Sequence, residues 1–179
     1  MCGIIGVFYN SKKNNNVHHF SKSIFRSSTR RGSQSSGLVC YESNQNSVKI
    51  FKETNSFKNL YKNKDLIDSL KNISKGDCLI GHTRMETNGD YINNLNNQPI
   101  VSDKSLLVHN GIICNYKEIS KTNNYKLNTD LDSEIILKFI DENADKINVN
   151  ELLNLIQNQF EGTINIIYSI WFLDRHVTQ

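Results

Sequence analysis

The segment that decides the fold is CGIIGVFY, residues 2–9 of a 179-residue chain. With the two-residue period of a β-strand, Ile4 and Phe8 lie on one face, and Ile5 and Val7 lie on the other. A strand that is apolar on both faces is covered on both sides. The segment therefore predicts a strand whose sheet lies inside a layered fold.

Further along the chain, hydrophobic spacing and turn-forming residues delimit the remaining elements. The pattern predicts helices at 17–28, 132–144 and 149–160, helical spacing over 57–70, a hairpin of strands 38–41 and 48–51, strands 78–80 and 106–108, and a last strand 163–173. The wholly polar stretch 30–37 predicts a loop. This order favours antiparallel connections over alternating βαβ units. We therefore expect one α+β domain over residues 2–179.

The helix predicted at 149–160 carries one apolar stripe. Its members occupy positions i, i+3, i+4, i+7 and i+11 and are Val149, Leu152, Leu153, Ile156 and Phe160. The stripe is expected to face the core.

Composition excludes several kinds of protein. The formal net charge is +3, from 21 basic and 18 acidic residues without a cluster, which indicates neither a nucleic acid nor a membrane partner. The four cysteines form no C-x-x-C pair, and the five histidines show no metal-ligand spacing. There is no phosphate-binding glycine loop, signal peptide or apolar run of ~20 residues. We therefore expect a cytoplasmic protein with no metal, no nucleotide and no other cofactor.

Cys2 is the first candidate for chemistry. Removal of Met1 would leave a thiol and a free α-amine on one residue. An α-amine with a pKa of about 7.7–8.0 is partly neutral at cellular pH and accepts a thiol proton, as in an N-terminal nucleophile. The alternative is a buried structural cysteine.

Arg84 and Asp132 form a second candidate pair. A free amino acid carries a carboxylate and an ammonium, so its site needs a fixed guanidinium and a fixed carboxylate. Arg84 follows a strand, and Asp132 opens a predicted helix. The alternatives are a surface ion pair for Arg84 and helix capping for Asp132.

Polar tripeptides follow two of the predicted strands, at 82–84 and 109–111. In the second, the Asn110 amide and the Gly111 N–H are a pair of donors suited to an oxyanion hole. Asn-Gly is also a common tight-turn dipeptide, and His82 and His109 are expected to be hydrogen-bonded core residues.

The order of five blocks resembles one family. MCGIIG (1–6) matches the opening of class II glutamine amidotransferase domains, and GHTRMETNG (81–89) is similar to their G-H-T-R-W-A-T-H-G. HNGIICNY (109–116) looks like H-N-G-I-I-E-N-Y, DSEII (132–136) like D-T-E-V-I, and RGSQSSG (31–37) like a degraded R-G-P-D-x-x-G. The resemblance is greatest to the glutaminase domains of glucosamine-6-phosphate synthases.

This resemblance implies a four-layer αββα sandwich of the N-terminal nucleophile hydrolase type. It also implies hydrolysis of the side-chain amide of L-glutamine by Cys2, through a thioester, with the ammonia used for sugar-phosphate amination. By position, Asn110 and Gly111 form the oxyanion hole and Arg84 and Asp132 bind the head group. Thr87 and Asn88 line the pocket, and Arg31 braces the loop beside the nucleophile. The sugar-isomerase half that would use the ammonia is absent from this sequence. That leaves open a stand-alone domain, a truncated domain, or a subunit that supplies ammonia to a separate synthase or isomerase subunit.

Departures from the family pattern lie around the pocket. Met85, Glu86 and Asn88 replace Trp, Ala and His, and Ser33-Gln34 replaces Pro-Asp, which predicts a floppier loop. None of these changes removes an atom that performs the chemistry. The chain is also shorter than the family's domain, so the last strands of the second sheet are expected to be missing and the isolated domain to be marginally stable.

Three functions remain open at this point. The first is a glutaminase of the amidotransferase type. The second is a weak or inactive relic that keeps the fold and binds glutamine or a partner protein. The third keeps the nucleophile but hydrolyses a different amide, against which the pairing of Arg84 with Asp132 argues.

Overall fold

A computed structural model describes residues 1–10 and 17–170, together with the backbone of residues 176–178. The part of the predicted last strand beyond residue 170 lies outside the described residues. Six helices are described: α1 Val17–Ser28, α2 Phe57–Leu60, α3 Lys64–Asn72, α4 Tyr116–Thr122, α5 Ser133–Asn143 and α6 Val149–Gln159. Ten strands are described: β1 Gly3–Phe8, β2 Ser35–Glu42, β3 Ser47–Glu53, β4 Cys78–Arg84, β5 Ile100–Val101, β6 Ser105–His109, β7 Ile112–Ile113, β8 Gly162–Thr163, β9 Ile166–Ile170 and β10 His176–Thr178.

The strands form two main sheets. The first sheet has the order β1-β4-β2-β3-β10, antiparallel except for the parallel pair β3–β10. The second sheet has the antiparallel order β5-β6-β9, and β7 pairs with β8 beside it. The predominance of antiparallel pairs confirms the α+β prediction.

Alternation along the strands sorts the apolar side chains into three cores. In β2, Leu38 and Cys40 pack against α1, α2 and α3, whereas Val39 packs between the two sheets. In β6, Leu107 packs against the core formed with α5, whereas Leu106 faces the inter-sheet layer. Successive strand residues point to opposite faces, so each sheet packs against helices on one face and against the other sheet on its other face. Two helix layers thus enclose two sheets. The predicted αββα sandwich is therefore confirmed.

Two of the predicted boundaries that are wrong have clear causes, one tertiary and one local. The predicted loop 30–37 ends before Ser35, where β2 begins. Residues 35–37 are small and polar, yet they are buried and pair with β4, and a Cβ on Gly37 would lie 2.0 Å from the carbonyl oxygen of Gln98. The helical spacing at 57–70 is divided into α2 and α3, because the Asn63 side chain accepts the Leu66 N–H at 3.1 Å and caps a new helix.

Burial is less complete than the apolar patterns predict. In α6, Ile156 and Phe160 are buried, but Val149 and Leu153 are 71% and 55% exposed. In β1, Ile5 is buried while Phe8, at the end of the strand, is 69% exposed. The stripe prediction is therefore confirmed for Leu152, Ile156 and Phe160 and is wrong for Val149 and Leu153. Within the described residues, no helix combines the length and the apolar character needed to cross a bilayer.

Candidate active site

The predicted site residues converge at one end of the inter-sheet layer. Ile4 and Ile80 face this layer. Cys2, directly before β1, and Arg84, the last residue of β4, lie an even number of residues from them and face the same side. These strands are neighbours, and Gly3 pairs with Thr83. The sheet thereby brings Cys2 beside the end of β4, so two blocks about 80 residues apart in the sequence lie next to each other.

Cys2 is held by atoms from both sheets. Its backbone N–H donates to Asn110 Oδ1 at 3.1 Å, and its Sγ lies 3.3 Å from the carbonyl oxygen and 3.4 Å from the amide nitrogen of Met85. Burial raises the pKa of the Cys2 thiol, although the bond from the Met85 backbone and the nearby positive charges act in the opposite direction. The thiol therefore needs a base to become a nucleophile near neutral pH.

Arg31 binds the backbone of the same residue. Its Nε donates to the carbonyl oxygen of Cys2 at 2.9 Å. The next residue, Gly32, lies so close to the end of β4 that an added Cβ would be 2.3 Å from the carbonyl carbon of Arg84. Arg31 is therefore placed where it can brace the backbone at Cys2, as the resemblance implies.

Asn110 and Gly111 leave β6 without forming a hairpin. The strand before them pairs with β9 and the strand after them pairs with β8, so the interpretation as a hairpin turn is wrong. The Asn110 amide oxygen accepts the Cys2 N–H, which leaves its NH2 group as a donor. At Gly111 an added Cβ would lie 1.8 Å from the carbonyl oxygen of Thr163, so only glycine fits.

Arg84 is buried, which contradicts the surface ion-pair alternative. Its side chain is 3% exposed; Nη1 donates to Asn97 Oδ1 at 2.9 Å and Nη2 donates to the carbonyl oxygens of Asn88 and Gly89 at 2.5 Å. Burial lowers the pKa of the guanidinium, but an arginine remains charged. The site therefore contains a fixed positive charge.

Asp132 is also buried and makes no side-chain cap for α5, so the capping alternative is wrong. Its Oδ2 accepts the Ile113 N–H at 2.7 Å, and its Oδ1 accepts a bond of 3.1 Å from the Ser133 hydroxyl. Ser133 Oγ also lies 2.8 Å from His109 Nδ1. The carboxylate thus connects α5 to the segment that follows Gly111.

The two core histidines differ. His109 is hydrogen-bonded, with Nε2 donating to the carbonyl oxygen of Thr163 at 3.1 Å, as expected for a core residue. His82 is fully buried, but neither ring nitrogen has a hydrogen-bond partner among the described residues. Burial dominates and lowers the pKa of His82 to about 3, although a weaker interaction with the His109 backbone acts to raise it. The expectation of a well hydrogen-bonded core histidine is therefore met at position 109 and not at position 82.

The loop after β4 carries the two remaining predicted residues. Thr87 is exposed, and Asn88 is half-buried and contributes its backbone oxygen to Arg84. Gln34, one of the departures, accepts the Glu86 N–H at 2.6 Å, and its own N–H donates to the Arg84 carbonyl oxygen. Gln34 thus fastens this loop to β4.

Sequence reasoning missed the buried polar segment Asn96-Asn97-Gln98, which contacts Arg84 and the end of β6. Asparagine is so frequent in this chain that these residues carry no distinguishing signal. A cavity of about 970 Å³ lies elsewhere, beside β3 and β5, and includes none of the predicted site residues. The described residues contain no cluster of three His, Cys, Asp or Glu side chains that would hold a metal ion.

Comparisons with known proteins agree with this fold. A family model described as a glutamine amidotransferase domain matches residues 82–170. The chain is 31% identical over 182 residues to glutamine–fructose-6-phosphate aminotransferase [isomerizing] of Francisella tularensis, covering 99% of this chain and 28% of that protein. The protein of the same name from Methanococcus maripaludis is 31% identical, with 98% and 28% covered.

Solved structures share the architecture at low sequence identity. Glutamine phosphoribosylpyrophosphate amidotransferase from B. subtilis superposes with a TM-score of 0.66 at 14% identity, covering 95% of this chain and 35% of that one. A structure described as the allosteric regulatory enzyme of purine biosynthesis gives a TM-score of 0.67 at the same identity and coverage.

The fold is that of the N-terminal nucleophile hydrolases, an αββα sandwich. Within this class, the chain belongs to the class II glutamine amidotransferase domains. It spans only about 28% of the length of the curated relatives that it matches.

Proposed function

We propose that this domain hydrolyses the side-chain amide of L-glutamine to glutamate and ammonia, with Cys2 as the nucleophile. The observation that carries the proposal is the 3.1 Å bond between the Cys2 backbone N–H and Asn110 Oδ1. It joins the candidate nucleophile to the candidate oxyanion donors from the other sheet. Family membership supports the same reaction.

The first step needs a base, because burial raises the pKa of the thiol. Removal of Met1, which is 73% exposed, would free the α-amine of Cys2. The neutral amine accepts the thiol proton, and the thiolate attacks the amide carbon of glutamine. Activity should therefore rise with pH as the amine loses its proton, at a pKa of about 7.7–8.0.

The developing oxyanion would be stabilised by the Asn110 NH2 group and the Gly111 N–H. Collapse of the tetrahedral intermediate breaks the C–N bond, and the proton held by the amine leaves with ammonia. Water then attacks the γ-glutamyl thioester, giving glutamate and regenerating the thiol. Arg84 and Asp132 would bind the carboxylate and ammonium of glutamine, with Thr87 and Asn88 at the pocket wall and Arg31 bracing Cys2.

The ammonia that the domain releases needs an acceptor. Relatives that cover nearly the whole chain are named glutamine–fructose-6-phosphate aminotransferases. We infer that the ammonia passes to a synthase domain or subunit that aminates a sugar phosphate. Ammonia release that increases when such a partner and its sugar phosphate are added would support this inference.

The central experiment measures intact mass before and after exposure to a glutamine-shaped diazoketone. Loss of Met1 and a single adduct, blocked by excess glutamine, is the expected result. Cys2→Ala should abolish both the adduct and ammonia release, whereas the control Cys114→Ala, at an exposed cysteine, should retain both. Activity retained by Cys2→Ala would refute the mechanism.

One observation favours a second candidate, a non-catalytic domain that retains the fold. The Nη2 group of Arg84 is already bonded to the carbonyl oxygens of Asn88 and Gly89, so bidentate binding of a substrate carboxylate requires that loop to move. Removal of Met1 without an adduct, together with glutamine binding by calorimetry, would favour this candidate. Hydrolysis of a glutamine analogue that lacks the carboxylate, at the rate of glutamine, would instead indicate a different amide substrate.

A further inference from the structure

We propose that Asn97 determines the specificity of this site for a substrate carboxylate. It positions Arg84 through a neutral oxygen, which leaves the guanidinium without a carboxylate at ion-pair distance among the described residues. The proposal rests on the proposed function and deepens it. Asn97 acts through Arg84 and is therefore a positioning residue.

Among the residues that the structure describes, the guanidinium of Arg84 is hydrogen-bonded only to neutral groups. Every hydrogen-bond acceptor that the described residues offer to its guanidinium is neutral: the Asn97 amide and the carbonyls of Asn88 and Gly89. None of the ion pairs in the described part of the chain includes Arg84. The carboxylates of Glu86, Asp90 and Asp132 act on Arg84 only from beyond ion-pair distance. A buried charge without a directly paired counter-ion is unfavourable, and a bound carboxylate would relieve that cost.

The orientation of the Asn97 side-chain amide is fixed by its hydrogen bonds. Arginine has only donors, so the amide oxygen of Asn97 must face Nη1. The same oxygen accepts the Ser35 hydroxyl at 2.6 Å, while Nδ2 donates to the Tyr91 carbonyl at 2.7 Å and to Asn94 Oδ1 at 3.0 Å. Four hydrogen bonds satisfy the side chain, and the residue is fully buried. The amide therefore cannot rotate without losing several bonds.

Both sequence neighbours of Asn97 form hydrogen bonds with other segments of the candidate site. Asn96 Oδ1 accepts the Asp130 N–H at 2.9 Å, two residues before Asp132. Gln98 Oε1 accepts the His109 N–H at 2.5 Å, next to Asn110. The segment thus sets Arg84 relative to the candidate head-group and oxyanion elements.

The test replaces the amide with a carboxylate of the same shape. Asn97→Asp would give Arg84 a permanent counter-ion that competes with the substrate. The KM for glutamine should rise at least about tenfold while kcat changes by less than about threefold, because the lost interaction is one of binding. The control Asn154→Asp adds the same charge on the exposed face of α6 and should leave both constants unchanged.

A second substrate distinguishes an effect on carboxylate specificity from a general loss of protein stability. Glutaminamide carries no carboxylate, so Asn97→Asp should affect its KM little. Equal losses for glutamine and glutaminamide would show a purely structural role, and an unchanged KM for glutamine would equally overturn the proposal.

Asn97→Asp would lower stability, because its second oxygen would face the Tyr91 carbonyl and Asn94 Oδ1. The assays are therefore run well below its melting temperature. If this variant does not fold, Asn97→Ser, which is neutral but too short to hold Nη1, is used instead. It should raise the KM for glutamine more than that for glutaminamide, and equal changes would again overturn the proposal.

Failure of the proposed function gives a different result. If the wild-type protein binds glutamine without hydrolysing it, the proposed function is wrong. Weaker binding of glutamine by Asn97→Asp, measured by calorimetry, would then still support the positioning role. A wild-type protein that binds no glutamine would overturn both proposals.

Discussion

The ends of β4 and β6 have similar sequences but different environments. Each strand runs through a buried apolar stretch into a polar tripeptide that begins with histidine, at 82–84 and at 109–111. In β4 the tripeptide remains within the strand and pairs on both sides, with β1 and β2. In β6 the strand ends at His109, and Asn110 and Gly111 lie beyond it.

The difference arises from what lies opposite each strand. His109 has Ser133 and Thr163 within hydrogen-bonding distance of its ring, whereas neither ring nitrogen of the buried His82 makes a hydrogen bond of good geometry with the described residues. A strand end that leaves the sheet exposes donors for a ligand, and a strand end inside the sheet supplies a fixed charge. We infer that the candidate site combines one end of each kind.

The largest effect is expected at the end of β6. Gly111→Ala should abolish activity and lower the free energy of unfolding by about 4 kcal/mol, because its Cβ would lie 1.8 Å from the Thr163 backbone oxygen. Urea denaturation and ammonia release measure the two effects. The control Gly6→Ala in β1 meets only the end of the Ile167 side chain at 3.0 Å and should be milder. Equal effects of the two substitutions would show that the close approach at Gly111 is unimportant.

An intermediate effect is expected from His82, and it depends on pH. Its pKa is about 3 in the folded protein and ordinarily about 6.5, so the unfolded chain binds the proton more tightly. Stability should therefore fall as the pH is lowered from 6.5 towards 3, by about 2 kcal/mol at pH 5 from this residue alone. His82→Leu should lack this part of the pH dependence, which chemical denaturation at several pH values would measure. Parallel curves for the two proteins would contradict the assigned protonation.

The smallest effect is expected from removing a partner of His109, which makes the two histidines more alike. Ser133→Ala deletes the hydroxyl that bonds His109 Nδ1 and Asp132 Oδ1 and should cost about 1 kcal/mol of stability. Ser133→Thr retains a hydroxyl and serves as the control. Thermal or urea unfolding decides the outcome, and identical stability of the alanine and threonine variants would show that the hydroxyl does not hold His109.

Periodicity predicted the elements that bury a continuous apolar face. The bounds of α1 agree with the structure, and the hairpin at 38–51 is confirmed as β2 and β3, because spacing is a local property of the sequence. The start of β2 at Ser35 was not predictable in this way. Its residues are buried by the approach of β4 and of the segment around Gln98, which is a tertiary effect.

In the candidate site, too, some residues were predictable from the sequence and others depend on tertiary contacts. Cys2, Arg84, Asn110 and Asp132 stood out because each brings a chemical group that a glutamine site needs, and the structure brings them to one end of the sandwich. The contribution of Asn97 could not be foreseen, since an asparagine gives no sign in sequence of the four partners that it finds on folding.

Pairing of Gly3 with Thr83 also constrains how the molecule is made. Among the described strands β1 has only β4 as a neighbour, so the nascent strand has no place in a sheet until the chain beyond residue 84 leaves the ribosome. At about 5–20 residues per second, translation of the intervening 80 residues takes on the order of 4–16 s. During this interval an apolar strand with a thiol at one end is accessible to chaperones and oxidants. The residues that surround this thiol in the folded protein, Met85 and Asn110, have not yet been made.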